Sequence, residues 1–372
     1  MAAASARALA AAVSALLAAA VLLASPSPVA AEEGCTQRPV VFAFGDSNTD
    51  TGGTAAALGS YLPLPEGRTH FRRSTGRLCD GRLVIDYLCE SLNMSYLSPY
   101  MEALGSDFGD GANFAIAGSG TLPRDRPFAL HVQVQQFTHF KQRSLQLIAH
   151  GEKAPVDAEG FRNALYLIDI GQNDLSAAFS IGLTYDHVVH HRIPSMLYEI
   201  QDAITLFYDG AKNFWVHGTG PLGCLPQKLA ELRNDADGDL DDSGCLRTLN
   251  NASHELNNQL SSVCHKLTSQ LKGATIVYTD VLSIKYDLIA NHSGYGFEEP
   301  LMACCGYGGP PYNYNVNVSC LDPGYRVCED GAKFVSWDGV HYTDAANAVV
   351  AAKILSAEFS TPSVPFGYFC KT

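Results

Sequence analysis

The chain has 372 residues, with 38 acidic side chains against 25 basic ones and a formal charge of −13. That balance leaves no electrostatic footprint for nucleic acid and is repelled by anionic lipid, so a neutral substrate is the better expectation. The length suffices for one large core and does not require two domains.

In chain order, residues 1–31 read as a secretory leader. Arg7 is their one charge, residues 8–24 are almost wholly apolar, and the segment exits through Ser25-Pro-Ser-Pro-Val-Ala-Ala31. The small residues favour cleavage near Ala30 or Ala31 over retention as a membrane anchor, which takes about 20 apolar residues. No second long apolar run follows. Residues 32–372 are therefore expected to form one domain with no stable membrane insertion, acting as a monomer.

Five short apolar runs rich in β-branched and aromatic residues come next, at residues 40–44, 112–116, 164–170, 213–217 and 275–278, and read as buried strands. Stretches between them carry helical periodicity, such as Leu197, Ile200, Ile204 and Phe207, or Leu249, Leu256, Leu260, Val263 and Leu267. The alternation predicts an α/β fold, a three-layer α/β/α sandwich around a parallel, flavodoxin-like sheet. No fixed-period repeat interrupts it.

Other segments carry weaker signals. His187, His190 and His191 sit at helical spacing, but no Glu follows His187 and no carboxylate completes a zinc site, so they read as a polar surface face. The acidic run at residues 234–242 alternates Asp like a calcium loop yet lacks its Gly-x5-Glu continuation; it reads as a solvated loop. The Gly-, Pro- and Tyr-rich residues 294–324 read as another surface loop. No metal or cofactor is expected.

All eleven cysteines follow the leader, and none is paired at Cys-x-x-Cys spacing, which favours disulfides in an oxidising compartment over a zinc ribbon. The odd number leaves at least one without an intrachain partner. Asn-x-Ser sequons at Asn93, Asn251, Asn291 and Asn317 fit passage through the secretory pathway, to the cell wall or the Golgi lumen.

In a parallel sheet, functional groups collect beyond the carboxyl ends of the strands. After the first run stands Gly45-Asp-Ser-Asn-Thr-Asp50, after the second Ala117-Gly-Ser-Gly120, after the third Gly171-Gln-Asn-Asp174; near the far end Asp338 and His341 are three residues apart. Acyl transfer needs a nucleophile, a base, a group that orients the base, and donors for an oxyanion. Ser47 suits the nucleophile, His341 the base and Asp338 its orienting partner. The backbone N–H groups of Ser47 and Gly118 and the side-chain amide of Asn173 suit the oxyanion. Taken singly, Ser47 also reads as a helix cap and Asn173 and Asp174 as turn residues, while Asp46 and Asp50 read as caps of the first helix. The Gly-x-Ser-x-Gly pentapeptide of α/β-hydrolases is absent.

Four segments in order then resemble the signature blocks of the plant GDSL esterase/lipase (SGNH hydrolase) family. They are Phe44-Gly-Asp-Ser-Asn-Thr-Asp-Thr-Gly-Gly53, Gly111-Ala-Asn-Phe-Ala-Ile-Ala-Gly-Ser119, Asp169-Ile-Gly-Gln-Asn-Asp174 and Asp338-Gly-Val-His-Tyr-Thr343. Thr49 stands where Ser is frequent. Three flanking segments are similar too: residues 76–86, 220–224 and 304–309. The resemblance implies a serine esterase with Ser47, Asp338 and His341 as its triad and Ser47, Gly118 and Asn173 as its oxyanion hole. Among such enzymes the chain is similar to cell-wall carbohydrate acetylesterases, which implies an acylated carbohydrate such as xylan as substrate. Two readings compete with it: a lipase or acyltransferase using the same acyl-enzyme, and a carbohydrate-binding protein with a vestigial site. Tyr295, Phe297, Tyr307, Tyr312 and Tyr314 read as loop packing, or else as sugar-stacking rings.

Overall fold

A computed structural model describes residues 38–123, 128–234 and 238–370. The expected leader and residues 235–237 of the acidic run lie outside the described residues.

Strand β1 (Val41–Gly45) lies between β2 (Gly111–Asn113) and β3 (Leu165–Asp169), and β4 (Asn213–His217) and β5 (Thr275–Thr279) follow on the β3 side. All five are parallel, giving the flavodoxin-like order β2-β1-β3-β4-β5. A two-residue strand, Ser360–Thr361, adds antiparallel to β5. It is too short to show a period in the sequence.

Alternation along each strand divides the core between the two faces of the sheet. Phe42 and Phe44 of β1 face one side with Tyr166, Phe214 and Ile276. There they meet α3 (Leu130–Ala149), α5 (Ile193–Phe207) and α6 (Arg247–Gln270) through Phe137, Ile200 and Leu256. Val41 and Ala43 face the other side with Leu167, Trp215 and Val277, against α2 (Val84–Ser91), α7 (Val281–Ala290) and α8 (Asp344–Leu355). The remaining labelled helices, α1 (Gly53–Leu58) and α4 (Gln172–Ser180), start at the carboxyl ends of β1 and β3.

Two expectations change. The second strand ends at Asn113 rather than residue 116, because the Asn113 side chain accepts from Ala115 N at 3.0 Å and turns the chain, although Phe114 N still donates to Ala43 O at 2.8 Å. The segment expected as a surface loop at residues 294–324 is partly structured and buried. Its strand Glu299–Ala303 pairs with Phe334–Ser336, Cys305–Gly306 pairs with Arg326–Val327, and Cys304, Cys305 and Trp337 form a small core. Its order comes from pairing across distant sequence and from disulfides, neither of which leaves a periodic pattern.

The disulfides are Cys224–Cys245, Cys304–Cys328 and Cys305–Cys320; Cys370 is disulfide-bonded as well, and Cys79, Cys89 and Cys264 are buried thiols. Asn93, Asn251, Asn291 and Asn317 are exposed, as are the three imidazoles His187, His190 and His191. Among the described residues, no helix is long and apolar enough to cross a membrane.

Candidate active site

The residues singled out in the sequence gather at the carboxyl ends of β1 and β3, on either side of the point where the strand order reverses. At the end of β1 the strands approach so closely that a Cβ on Gly45 would lie 2.2 Å from Asp169 O; only glycine fits. Gln133 of α3 holds Gly45 from above, accepting from its N–H at 2.9 Å and donating to its carbonyl at 2.8 Å. The chain then turns through Ser47, which is buried, with Thr49 N and Asp50 N donating to Asp46 O at 3.1 and 2.9 Å. Asn113 closes the turn by donating to Thr49 O at 2.6 Å.

Of the two acidic residues expected to cap α1, Asp50 does so, accepting from Gly52 N, Gly53 N and Thr54 N at 2.8, 2.5 and 3.1 Å. Asp46 does something else. One carboxylate oxygen accepts from Asn48 N and Asn48 Nδ2, both at 3.0 Å, and the other accepts from Asn173 Nδ2 at 3.2 Å. It faces into the site rather than toward the helix.

Asn173, in the first turn of α4, also donates from Nδ2 to Ser119 O at 3.0 Å, which ties the ends of β1 and β3 to the loop after β2. Gly118 in that loop has φ +80°, a left-handed turn that suits glycine. Asp174 anchors the same loop by accepting from Thr121 N at 2.8 Å and Leu122 N at 3.2 Å.

Asp338 and His341 lie on a tight turn leading into α8. The carboxylate accepts from Val340 N at 2.9 Å and His341 N at 2.8 Å, and its second oxygen lies 2.5 Å from His341 Nδ1. The turn is pinned behind by Trp337 N donating to His341 O at 2.7 Å and by Trp337 Nε1 donating to the buried Glu66 carboxylate at 2.9 Å. Burial alone would raise the Asp338 carboxyl, but the His341 charge and these hydrogen bonds hold it below its ordinary value. Burial alone would lower His341, and the Asp338 charge and bond override it, raising the imidazole above its ordinary value. His341 Nε2 is buried and makes no hydrogen bond to the described residues. This is the nitrogen a substrate-activating base would use.

Beneath the Ser47 turn lies a buried charged group that sequence reasoning missed. Asp169 at the end of β3 lies 3.8 Å from His217 Nδ1 at the end of β4 and 3.3 Å from Thr49 Oγ1. Lys285 of α7 is buried, its ammonium 3.4 Å from Asn48 Oδ1 and 4.4 Å from the centre of the Tyr342 ring. Lys285 is the one charge in the first six residues of α7, Val-Leu-Ser-Ile-Lys-Tyr, and that isolation was its only sequence signal. Burial raises the Asp46 carboxyl to about 7, helped by the Asp169 charge and opposed by the Asn48 bonds and by His341.

The aromatic candidates are packing for the most part. Phe297 is buried, Tyr295 donates to Asp287, and Tyr312 accepts from Arg233 at 2.7 Å. Tyr314 packs on the Gly339 backbone with its hydroxyl 3.0 Å from Gln227, while Tyr307 is exposed.

Comparison with known proteins fits this arrangement. Residues 41–354 match the GDSL-like lipase/acylhydrolase family, a span that contains all five expected site residues. A GDSL esterase/lipase of Arabidopsis thaliana is 56% identical over 342 residues, covering 91% of each chain, and the GDSL esterase/lipase LIP-4 of the same plant is 53% identical over 355 residues, covering 94% of this chain and 93% of its own. An Arabidopsis protein named alpha-L-fucosidase 3 is 40% identical over 354 residues, covering 90% of this chain and 94% of its own. With a flavodoxin-like sheet, a Ser-bearing turn after β1 and an Asp–His couple before the last helix, this chain belongs to the GDSL lipase/acylhydrolase family and is a carboxylic ester hydrolase.

Proposed function

We propose that the protein is a secretory-pathway serine esterase that removes O-acetyl groups from neutral cell-wall polysaccharide such as xylan. Ser47 is the nucleophile, His341 the general base, Asp338 the group that orients it, and the N–H groups of Ser47 and Gly118 with the Asn173 amide are the oxyanion donors.

Ser47 Oγ attacks the acetyl carbonyl as its proton passes to His341 Nε2, and the carbonyl oxygen becomes an oxyanion. Collapse breaks the ester bond, and the sugar oxygen leaves with the proton from His341. Water then gives a proton to His341 and attacks acetyl-Ser47, acetate departs, and Ser47 recovers its proton. An oxyanion is a stronger acceptor than a carbonyl, so it competes with Ser119 O for an Asn173 hydrogen as charge develops.

The observation that carries this reading is the Asp338–His341 couple, whose outward nitrogen is buried with no hydrogen-bond partner among the described residues, at the rim of the sheet where Ser47 lies. The substrate rests on the strong acidic excess, on the leader and disulfides, and on the likeness to a relative whose name denotes a sugar-directed enzyme. Incubating the purified protein with acetylated xylan, acetylated pectin and a triglyceride and titrating released acid tests it. Acetate from xylan at the highest rate is expected. Fatty acid from triglyceride as the main product would replace the carbohydrate reading with a lipase.

A further inference from the structure

A continuous chain of hydrogen bonds runs from the buried Lys285 to the oxyanion amide. Lys285 Nζ donates to Asn48 Oδ1 at 3.4 Å, Asn48 Nδ2 donates to Asp46 Oδ1 at 3.0 Å, and Asn173 Nδ2 donates to Asp46 Oδ2 at 3.2 Å. Each link has only one chemically sensible direction once its first member is fixed. An ammonium can only donate, so the Asn48 oxygen faces it; the Asn48 NH₂ then faces Asp46; and an ionised Asp46 can only accept, so it joins the Ser119 carbonyl in holding the Asn173 NH₂ rather than its oxygen. The fold makes room for this lysine: a Cβ on Gly220, in the loop after β4, would lie 3.0 Å from Lys285 Cδ.

We propose that Lys285 is a positioning residue for the oxyanion hole, setting the direction of a relay through Asn48 and Asp46 that aims the Asn173 amide. This rests on the reading of Asn173 as an oxyanion donor. The ionisable groups that Lys285 faces are Asp169 on β3, Asp46 on the turn after β1, and His341 and Tyr342 on the segment before α8; those around Asp46 are Asp169 and His341, with His217 of β4 behind Asp169. Burial lowers the Lys285 ammonium even though Asp169 and Asp46 oppose it, and burial with the Asp169 charge raises Asp46 to about 7 against the Asn48 bonds and His341, so the cation and the Asp46 carboxylate each favour the other's charged form. With Lys285 gone, Asp46 and Asp169 keep only His341 and His217 as counter-charges, so the Asp46 carboxyl shifts further up and is more often protonated at neutral pH, which weakens it as a pure acceptor.

The test is hydrolysis of 4-nitrophenyl acetate as a function of pH by the full secreted chain. Wild type must be active and Ser47→Ala inactive; failure there sinks the underlying reading and the relay's role with it, whereas the variants below can fail the relay alone. Given that, Lys285→Met is expected to lower kcat about tenfold at neutral pH, less than outright loss of an oxyanion donor. KM should stay within about twofold, because the amide acts on the oxyanion more than on bound ester. The acidic limb of kcat moves to higher pH, in part directly through His341, which the Lys285 charge lowers, and in an Asp46→Asn background the same substitution moves it clearly less. A loss equal at every pH, an unchanged profile, or a shift of undiminished size with Asp46→Asn would overturn the proposal. If Lys285→Met does not fold, Asn48→Leu breaks the same relay at a half-buried side chain and carries the same expected shift.

Discussion

Gln133 shows how much of a site's precision is held by residues with no chemistry of their own. Its amide satisfies both the N–H and the carbonyl of Gly45, two residues before Ser47, and both groups are buried. Replacing it with Leu leaves the buried Gly45 N–H unsatisfied, at about 1–3 kcal/mol, and its carbonyl with the 3.2 Å bond from Ile116 N alone. Gln133→Leu is expected to lower the urea midpoint and to reduce kcat more than it raises KM; an unchanged midpoint would show that Gly45 is held by the sheet alone. Nothing in the sequence marks Gln133, because a glutamine on an amphipathic helix reads as surface. Ser47, Asp338 and His341 stood out as candidates because their neighbours form short motifs; Lys285 and Asp169 reach the same place through space, from elements far apart in sequence. Asp46 was read as a cap since local spacing cannot show that a side chain turns away from its own helix.

At the scale of elements, the segment at residues 76–86 earns its place by carrying α2 and bracing the start of α8. Arg77 pairs with Asp86 through two bonds, Nε to Oδ2 at 2.8 Å and NH2 to Oδ1 at 2.7 Å, and Asp86 also accepts from Leu83 N at 2.8 Å. Arg82 N and Nε reach Asp344 Oδ1 at 2.6 and 3.1 Å, which anchors α8 directly after the His341 turn. Both partners of the first pair are buried, so Arg77→Ala strands a carboxylate in the core and is expected to destabilise by about 3–5 kcal/mol. Chemical denaturation measures this, and a loss below about 1 kcal/mol would mean that water reaches Asp86. The sequence showed this segment as similar to a family but gave no reason for it. The five main strands were legible from their apolar runs, to within a residue or two except at β2. The pairing of Glu299–Ala303 with Phe334–Ser336 was not, since short half-buried strands lack a clear period.

For the whole molecule, activity depends on assembly: β1, α4 and the turn before α8 bring Ser47, Asn173 and His341 to one rim from positions far apart along the chain. An isolated serine hydroxyl is a weak nucleophile, and its activation requires the base and the oxyanion donors around it. The most direct measurement is therefore reaction of a fluorophosphonate with the native and the urea-unfolded protein, followed by mass spectrometric mapping of the adduct. One adduct is expected, on Ser47, formed by the native protein, absent after unfolding, and abolished by His341→Ala. A native protein that gives no adduct, or one whose adduct maps to another residue, would contradict that expectation.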